Sequence, residues 1–235
     1  TDRVDIRARD LFRKRGRGEE RRITFYGEMA LARSFSQMHT PKRQVVYVLQ
    51  GHGEADPEDR SPDGMADLAD ALDVARYEVE LLNLISTDRE SEVPTVPDDA
   101  AMVLIAGGAG QWTEHETDAL LTYISRGGGM MVALDPGTPV PELVTRLGVQ
   151  VASGVVSDTQ VIFPFWDRPI PQVQSHEMTH SIRTEKLTPV LSHVAPLVTQ
   201  EPMPDGVRSA SIFRTSRTGW IERGGDLRSG APVFD

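Results

Sequence analysis

The sequence predicts an α/β fold built on a mostly parallel, doubly wound sheet, and two observations lead to this prediction. Short apolar runs rich in β-branched residues are typical of strands that are buried on both faces. Residues 45–49 (VVYVL) form such a run, and three further strands are predicted at residues 79–85 (VELLNLI), 101–106 (AMVLIA) and 130–134 (MMVAL). Helical patterns separate the first predicted strand from the second and the third from the fourth. Because strands that alternate with helices pair in parallel, we expect helices on both faces of one sheet.

The helical patterns are amphipathic. Residues 63–76 place apolar side chains at spacings of three and four, which indicates one buried helix face. Thr113 and Glu116 have the spacing of a capping box, so a second helix is predicted to begin at Thr113 and to end at the glycines of 127–129. Two further helices are predicted, one over 25–38 and a short one over 142–147.

We divide the chain into a basic lead-in, residues 1–24, and a single α/β domain, residues 25–235. The lead-in holds a loose strand pattern at 4–12 and is either an edge strand or the end of an upstream domain. From about residue 150 prolines become frequent and the apolar runs become short. We expect this second half to add strands to the sheet, with long loops between them, at residues 160–163, 194–198 and 210–215.

Composition excludes several classes of function. The chain of 235 residues carries a formal net charge of −10, which argues against nucleic acid as its main partner. It contains no cysteine, so thiol nucleophiles, cysteine–zinc sites and disulfides are excluded. No run of about 18 apolar residues is found, and no membrane span is therefore predicted within this chain.

A ligand site is predicted at the carboxyl ends of the strands, where open parallel sheets bind their ligands. Three segments are expected there, and their candidate residues are Gln50, Gly51, His52, Gly53 and Glu54, then Gly107 and Gly108, and finally Asp135. Glycines allow close ligand approach, while His52 and Glu54 can bind a proton or a metal. Under the alternative interpretation the glycines only form turns, His52 packs on a loop and Asp135 caps the next helix.

Residues 176–180 read HEMTH, which offers a competing hypothesis. On a helix, His176 and His180 would share one face and bind zinc, with Glu177 as the general base. Two prolines shortly before His176 leave little room for such a helix, and no third ligand stands in a recognisable pattern. A zinc hydrolase is therefore the runner-up function. A third option is a carbohydrate-active or amidotransferase-like enzyme that uses His52 and Glu54 as an acid/base pair, although no nucleophile is identified for it.

Several segments in order resemble one protein family. They are FYGEMALARSF (25–35), VVYVLQGHGE (45–54), VELLNL (79–84), MVLIAGGAGQWTEHETDALLTYISRGGGMMVALDP (102–136), LVTRLGVQV (143–151) and TSRTGWIE (215–222). Together they resemble the extracytoplasmic domain of the gliding-motility-associated ABC transporter auxiliary family. The most specific parts are GHGE and the stretch from the glycine pair at 107–108 to Asp135.

The resemblance implies a flavodoxin-like or class I glutamine amidotransferase-like sheet without enzymatic activity or cofactor. It further implies a protein on the periplasmic side of a bacterial membrane, anchored by flanking helices that are not in this chain. Its partners would be an ABC permease and an ATPase. On this basis we expect a non-catalytic binding or assembly domain whose candidate site, at the strand ends, takes a glycan or peptide ligand or a partner segment.

Overall fold

The structure is a computed structural model. It describes residues 44–61, 63–85, 94–108 and 110–223, together with residues 6, 11–15, 22–25, 27, 28 and 31. In the first part of the chain, β1 (Phe12–Arg15) and β2 (Arg22–Phe25) pair in antiparallel fashion. The strand predicted over 4–12 and the helix predicted over 25–38 lie mostly outside the described residues. The division of the chain at residue 25 stays a prediction.

A four-stranded parallel sheet forms the centre of the domain, as the apolar runs predict. Its strands are β3 (Gln44–Leu49), β4 (Tyr77–Leu82), β5 (Ala100–Ala106) and β6 (Gly129–Ala133), in the order β4-β3-β5-β6. Helix α1 (Ala66–Val74) connects β3 to β4, and α2 (Glu114–Ser125) connects β5 to β6. All three strand pairs are parallel, which brings the carboxyl ends of the four strands to one edge.

The sheet has a buried core on each face because alternate side chains of a strand point to opposite sides. On one face, Val46 and Val48 of β3 pack with Met65, at the start of α1. On the other face, Tyr47 and its neighbours pack with Leu120 of α2 and with Leu143 of the short helix α3 (Glu142–Arg146). The prediction of helices on both faces is therefore confirmed for this sheet.

In the second half of the chain, as far as it is described (to residue 223), no strand joins the central sheet, and the prediction of such strands is wrong there. Its strands form two-stranded antiparallel pairs: β7 (Val149–Val151) with β12 (Leu197–Thr199), β8 (Val155–Ser157) with β14 (Trp220–Glu222), β9 (Val161–Ile162) with β10 (Phe165–Pro169), and β11 (Gln172–Val173) with β13 (Phe213–Arg214). Parallel addition needs a crossover of about a dozen residues, usually a helix. Between residues 150 and 223 the α-helix that the structure describes, α4 (His180–Thr184), is only five residues long.

The class of fold is mixed α/β, with a central parallel sheet and several small antiparallel pairs. The order β4-β3-β5-β6 corresponds to the first four positions of the flavodoxin-type order. The described residues hold no fifth parallel strand, however, so the flavodoxin-like assignment is not confirmed. Among the same residues no helix has the length and apolar character needed to cross a bilayer.

Candidate functional site

The loops that follow β3, β5 and β6 meet at the carboxyl edge of the sheet. Glu54 forms an isolated antiparallel bridge with Gly107, which ties the first loop to the second. The amide of Gly110 also donates to the carbonyl of His52, at 3.1 Å. The amide of Gly107 in turn donates to the carbonyl of Ala133, the last residue of β6, at 2.7 Å. The structure thus brings together the three segments in which the sequence places candidate residues. We call these three segments, residues 50–54, 107–110 and 135, the rim.

A histidine between two carboxylates lies at the centre of the rim. Nδ1 of His52 is 3.2 Å from Oε1 of Glu54, and its Nε2 is 3.1 Å from Oε1 of Glu116. The backbone amide of His52 donates to the other oxygen of Glu54, at 2.7 Å. The three side chains are 6 %, 0 % and 1 % exposed. We call this group the buried triad.

The two ring nitrogens of His52 have different contacts. Nδ1 is within hydrogen-bond distance of Oε1 of Glu54, and the tautomer of the ring sets the donor and acceptor roles. Oε1 of Glu116 lies 3.1 Å from Nε2 but has no well-aligned hydrogen bond. Because a buried polar atom with an incomplete set of partners is costly, the packing of the surrounding loops has to hold these three side chains together.

Glu116 also closes the capping box of α2. Its Oε2 accepts from the backbone amide and from the hydroxyl of Thr113, both at 2.7 Å, and the Thr113 hydroxyl accepts from the amide of Glu116 at 3.3 Å. The capping box was predicted from the sequence, but the second role of Glu116 was not. The missed signal was that a capping glutamate only a few residues beyond the glycines of 107–110 must lie close to the rim.

Two glycines are needed for the loops to approach each other. A Cβ on Gly110 would lie 2.7 Å from Cβ of His52, which is closer than real side chains come. Gly108 has a φ of +93°, which other residues rarely adopt, and a Cβ there would lie 3.3 Å from Cγ of Glu54. The Trp112 ring also lies close, with its centroid 5.7 Å from that of the His52 ring. Close packing therefore encloses the triad.

The remaining predicted site residues differ in what they offer a ligand. Gln50 donates from its side chain to the carbonyl of Ala55, at 3.0 Å, and helps to close its own loop. Gly51 and Gly53 are exposed and adopt positive φ values of 132° and 84°. Asp135 is exposed beside Gly107. Among the candidate residues that the structure describes, the exposed groups are therefore glycine backbone and the Asp135 carboxylate, while His52 and Glu54 are engaged below them. Ligand binding here stays a prediction.

The HEMTH segment does not form one helix. His176 precedes a single 3₁₀ turn, Glu177–Thr179, and its Nδ1 accepts from the amide of Met178 at 3.2 Å. His180 begins the separate helix α4, with its Nε2 3.4 Å from the hydroxyl of Thr184. The described part of the chain contains no group of three or more histidine or acidic side chains arranged to hold a metal ion. The zinc-hydrolase hypothesis therefore gains no support from the structure.

Comparison with known proteins gives a family and a related fold. Residues 43–223 match the family described as ABC-type uncharacterized transport system. The chain is similar in fold to a solved structure, the mmIFT52 N-terminal domain, with a TM-score of 0.50 and 17 % sequence identity over 67 % of this chain and 69 % of that one. No curated protein matches the sequence. Because the family match includes the central sheet, the rim and most of the second half, the chain belongs to the ABC-type uncharacterized transport system family.

Proposed function

We propose that this chain is a non-catalytic, extracytoplasmic binding and assembly domain of an auxiliary component of an ABC transport system, of the export or gliding-motility type. It would act with an ABC permease and an ATPase, and its parent protein would be held at the membrane by helices outside this chain. The working surface would be the rim, which takes a glycan, a peptide or a segment of a partner subunit. Family membership supports the transport role.

The observation that carries this proposal is the buried triad below the rim. It joins the loop after β3 to the start of α2 through two carboxylate contacts to one imidazole. The rim is therefore held in one conformation before any ligand arrives. A surface that is ordered in advance binds without the entropic cost of ordering its loops. Because the exposed groups are mainly backbone, recognition would use amide and carbonyl groups along with the Asp135 carboxylate.

The same geometry supports a non-catalytic role. An acid/base pair has to reach the proton that it transfers, to within hydrogen-bond distance. The side chains of His52 and Glu54 are almost fully buried and bind each other and Glu116. Two hydroxyls in the loops after β5 and β6 are also engaged, since Thr113 caps α2 and Thr138 donates to the carbonyl of Asp135. The chain has no cysteine that could serve as a nucleophile.

Site-specific photo-crosslinking in cells tests whether the rim is the working surface. A photoreactive residue replaces Asp135 at the rim in one variant and Asp98 in the matched control. Asp98 is acidic and 99 % exposed, and it precedes β5 at the opposite end of the sheet. We expect position 135 to crosslink to a permease subunit or to a cell-surface ligand, and position 98 to give much less product. Equal crosslinking at both positions, or none at 135, would reject the rim as a binding surface.

The location of the domain can be tested separately, since the chain has no cysteine of its own. An Asp98→Cys variant places a single exposed thiol on the surface. An extracytoplasmic domain should react with a membrane-impermeant maleimide in intact cells to the same extent as in lysed cells. Labelling that requires lysis would place the domain inside the cell and contradict this part of the proposal.

A further inference from the structure

A hairpin in the second half of the chain exposes a small apolar tip. Strands β9 and β10 are joined at Phe163 and Pro164, with Ile162 paired to Phe165. Phe163 is 79 % exposed, and Ile162 and Phe165 are also exposed. Four consecutive residues, IFPF, therefore face solvent. We call residues 162–165 the apolar tip. Exposed apolar residues on their own are ordinary, but a continuous group often marks an interaction site.

The base of the hairpin is held by buried hydrogen bonds. The hydroxyl of Ser157, which is fully buried, donates to the carbonyl of Trp166 at 2.8 Å. The amide of Ile170 donates to the carbonyl of Gln160 at 2.8 Å, which closes the hairpin on the side away from the apolar tip. A neighbouring segment also donates from the amide of His193 to the carbonyl of Asp167, at 2.7 Å. The exposure of the tip is thus fixed by the fold around it.

Asp158 secures the same base to the loop before β14. Both oxygens of this fully buried carboxylate accept from Ser216, one from its amide and one from its hydroxyl, each at 2.6 Å. The hydroxyls of Thr159 and Thr218 lie 2.6 Å apart and join the two segments again. Buried polar networks that are fully satisfied make a site rigid. A rigid support keeps the apolar side chains of the tip exposed and prevents them from packing back onto the protein.

The hairpin carries one exposed cation. Residues 159–170 contain one acidic and one basic side chain, Asp167 and Arg168. Asp167 is 4 % exposed, whereas Arg168 is exposed and places its guanidinium 4.2 Å above the Phe165 ring. The exposed charge on the hairpin is therefore that of Arg168, whereas the chain as a whole has a net charge of −10. An apolar tip with a cation at its side complements an anionic membrane interface.

We propose that the apolar tip inserts into the interfacial layer of an anionic lipid bilayer, with Arg168 at the level of the lipid headgroups. The tip is only four residues long, whereas a stable protein interface needs roughly 800 Å² from each partner. An exposed apolar group of this size suits penetration to a depth of about 5–10 Å better than it suits docking against a protein. The contact would orient the domain on the membrane. It does not depend on ligand binding at the rim.

Vesicle sedimentation with the full 235-residue chain tests this proposal. Wild-type protein should bind phosphatidylcholine vesicles that contain phosphatidylglycerol, and should bind pure phosphatidylcholine vesicles more weakly. The Phe163→Ala/Phe165→Ala variant should lose binding by about tenfold or more, because interfacial binding scales with the apolar area inserted. Arg168→Glu should weaken binding only to the anionic vesicles. Circular dichroism should show that each variant remains folded.

A matched control separates insertion of the apolar tip from non-specific adsorption of the protein to vesicles. Leu197 of β12 is 71 % exposed and lies outside the hairpin, so Leu197→Ala should leave vesicle binding unchanged. In a Phe163→Trp variant, brominated lipids should quench the fluorescence of the tryptophan introduced at position 163. Unchanged binding of the double alanine variant would assign any vesicle affinity to another surface, such as the basic residues 1–22, and overturn the proposal. Absence of vesicle binding by the wild type would overturn it as well and would leave the tip as a contact for a protein.

Discussion

Replacing Glu116 by alanine removes the side chain that joins the start of α2 to the loop after β3. The carboxylate accepts from Thr113 through one oxygen and faces His52 through the other. Alanine ends both interactions and leaves the imidazole with one carboxylate in place of two. The variant therefore removes the helix cap and one of the two carboxylate contacts of His52 together.

The expected loss of stability is the sum of these two effects. Loss of a capping interaction costs about 1 kcal/mol. Leaving a buried polar group with a missing partner costs a further ~1–3 kcal/mol. We therefore expect the free energy of unfolding to fall by about 3 kcal/mol in Glu116→Ala. Glu116→Gln keeps an oxygen that can accept from Thr113 but removes the charge, so it should lose roughly half as much.

Urea unfolding followed by circular dichroism measures both losses. The control is Glu114→Ala, in the same first turn of α2, because Glu114 is exposed and contributes mainly through the helix dipole, about 0.3–1 kcal/mol. The unfolding slope should remain constant, so that the midpoint reports stability alone. If Glu116→Ala proved no more destabilising than Glu114→Ala, the buried triad would not support the rim and the reasoning would fail.

Two further variants test the packing and the charges of the fold. Gly110→Ala should lower the free energy of unfolding by about 1–3 kcal/mol, because the added Cβ would overlap His52. The control is Gly129→Ala in β6, where the added Cβ makes only an ordinary contact. This control should change the free energy of unfolding little in the same urea experiment. Burial alone would raise the pKa of Asp158, but the hydrogen bonds from Ser216 and from backbone amides outweigh it and hold this pKa below its usual value. The carboxylate therefore stabilises the fold fully above about pH 4 and loses that contribution as the pH falls through the lowered pKa. Urea unfolding curves recorded at decreasing pH should show a fall in the free energy of unfolding of the wild type that is absent from Asp158→Asn.

The sequence was sufficient to predict the central sheet and the position of the rim. Buried strands such as β3 are continuously apolar, and the capping box at Thr113 is a local signal that does not depend on distant contacts. Parallel strands place their carboxyl ends on one edge by geometry alone, so the convergence of Gly107 and His52 could be inferred. The role of Glu116 could not, because which groups surround a carboxylate oxygen depends on the tertiary packing of two loops.

The second half was predicted less well for a physical reason. Its strands are two to five residues long, which is too short for a period of two to be recognised. Its buried polar contacts, such as that between Asp158 and Ser216, join residues 58 positions apart and leave no local pattern. The HEMTH segment shows the converse case. There, a local pattern exists, but His176 lies outside the helix that the zinc chemistry would require.

Amide hydrogen exchange measured by NMR is the most direct test of the central claim, that three strand-end loops form one edge ordered in advance. The amide of Gly107 donates to Ala133 and that of Gly110 donates to His52, so both should be protected to nearly the same degree as the core amide of Val48. In His52→Ala, protection at Gly110 should fall by about tenfold or more while Val48 remains protected. Rapid exchange of Gly107 and Gly110 in the wild type, at the rate of an open loop, would contradict the claim.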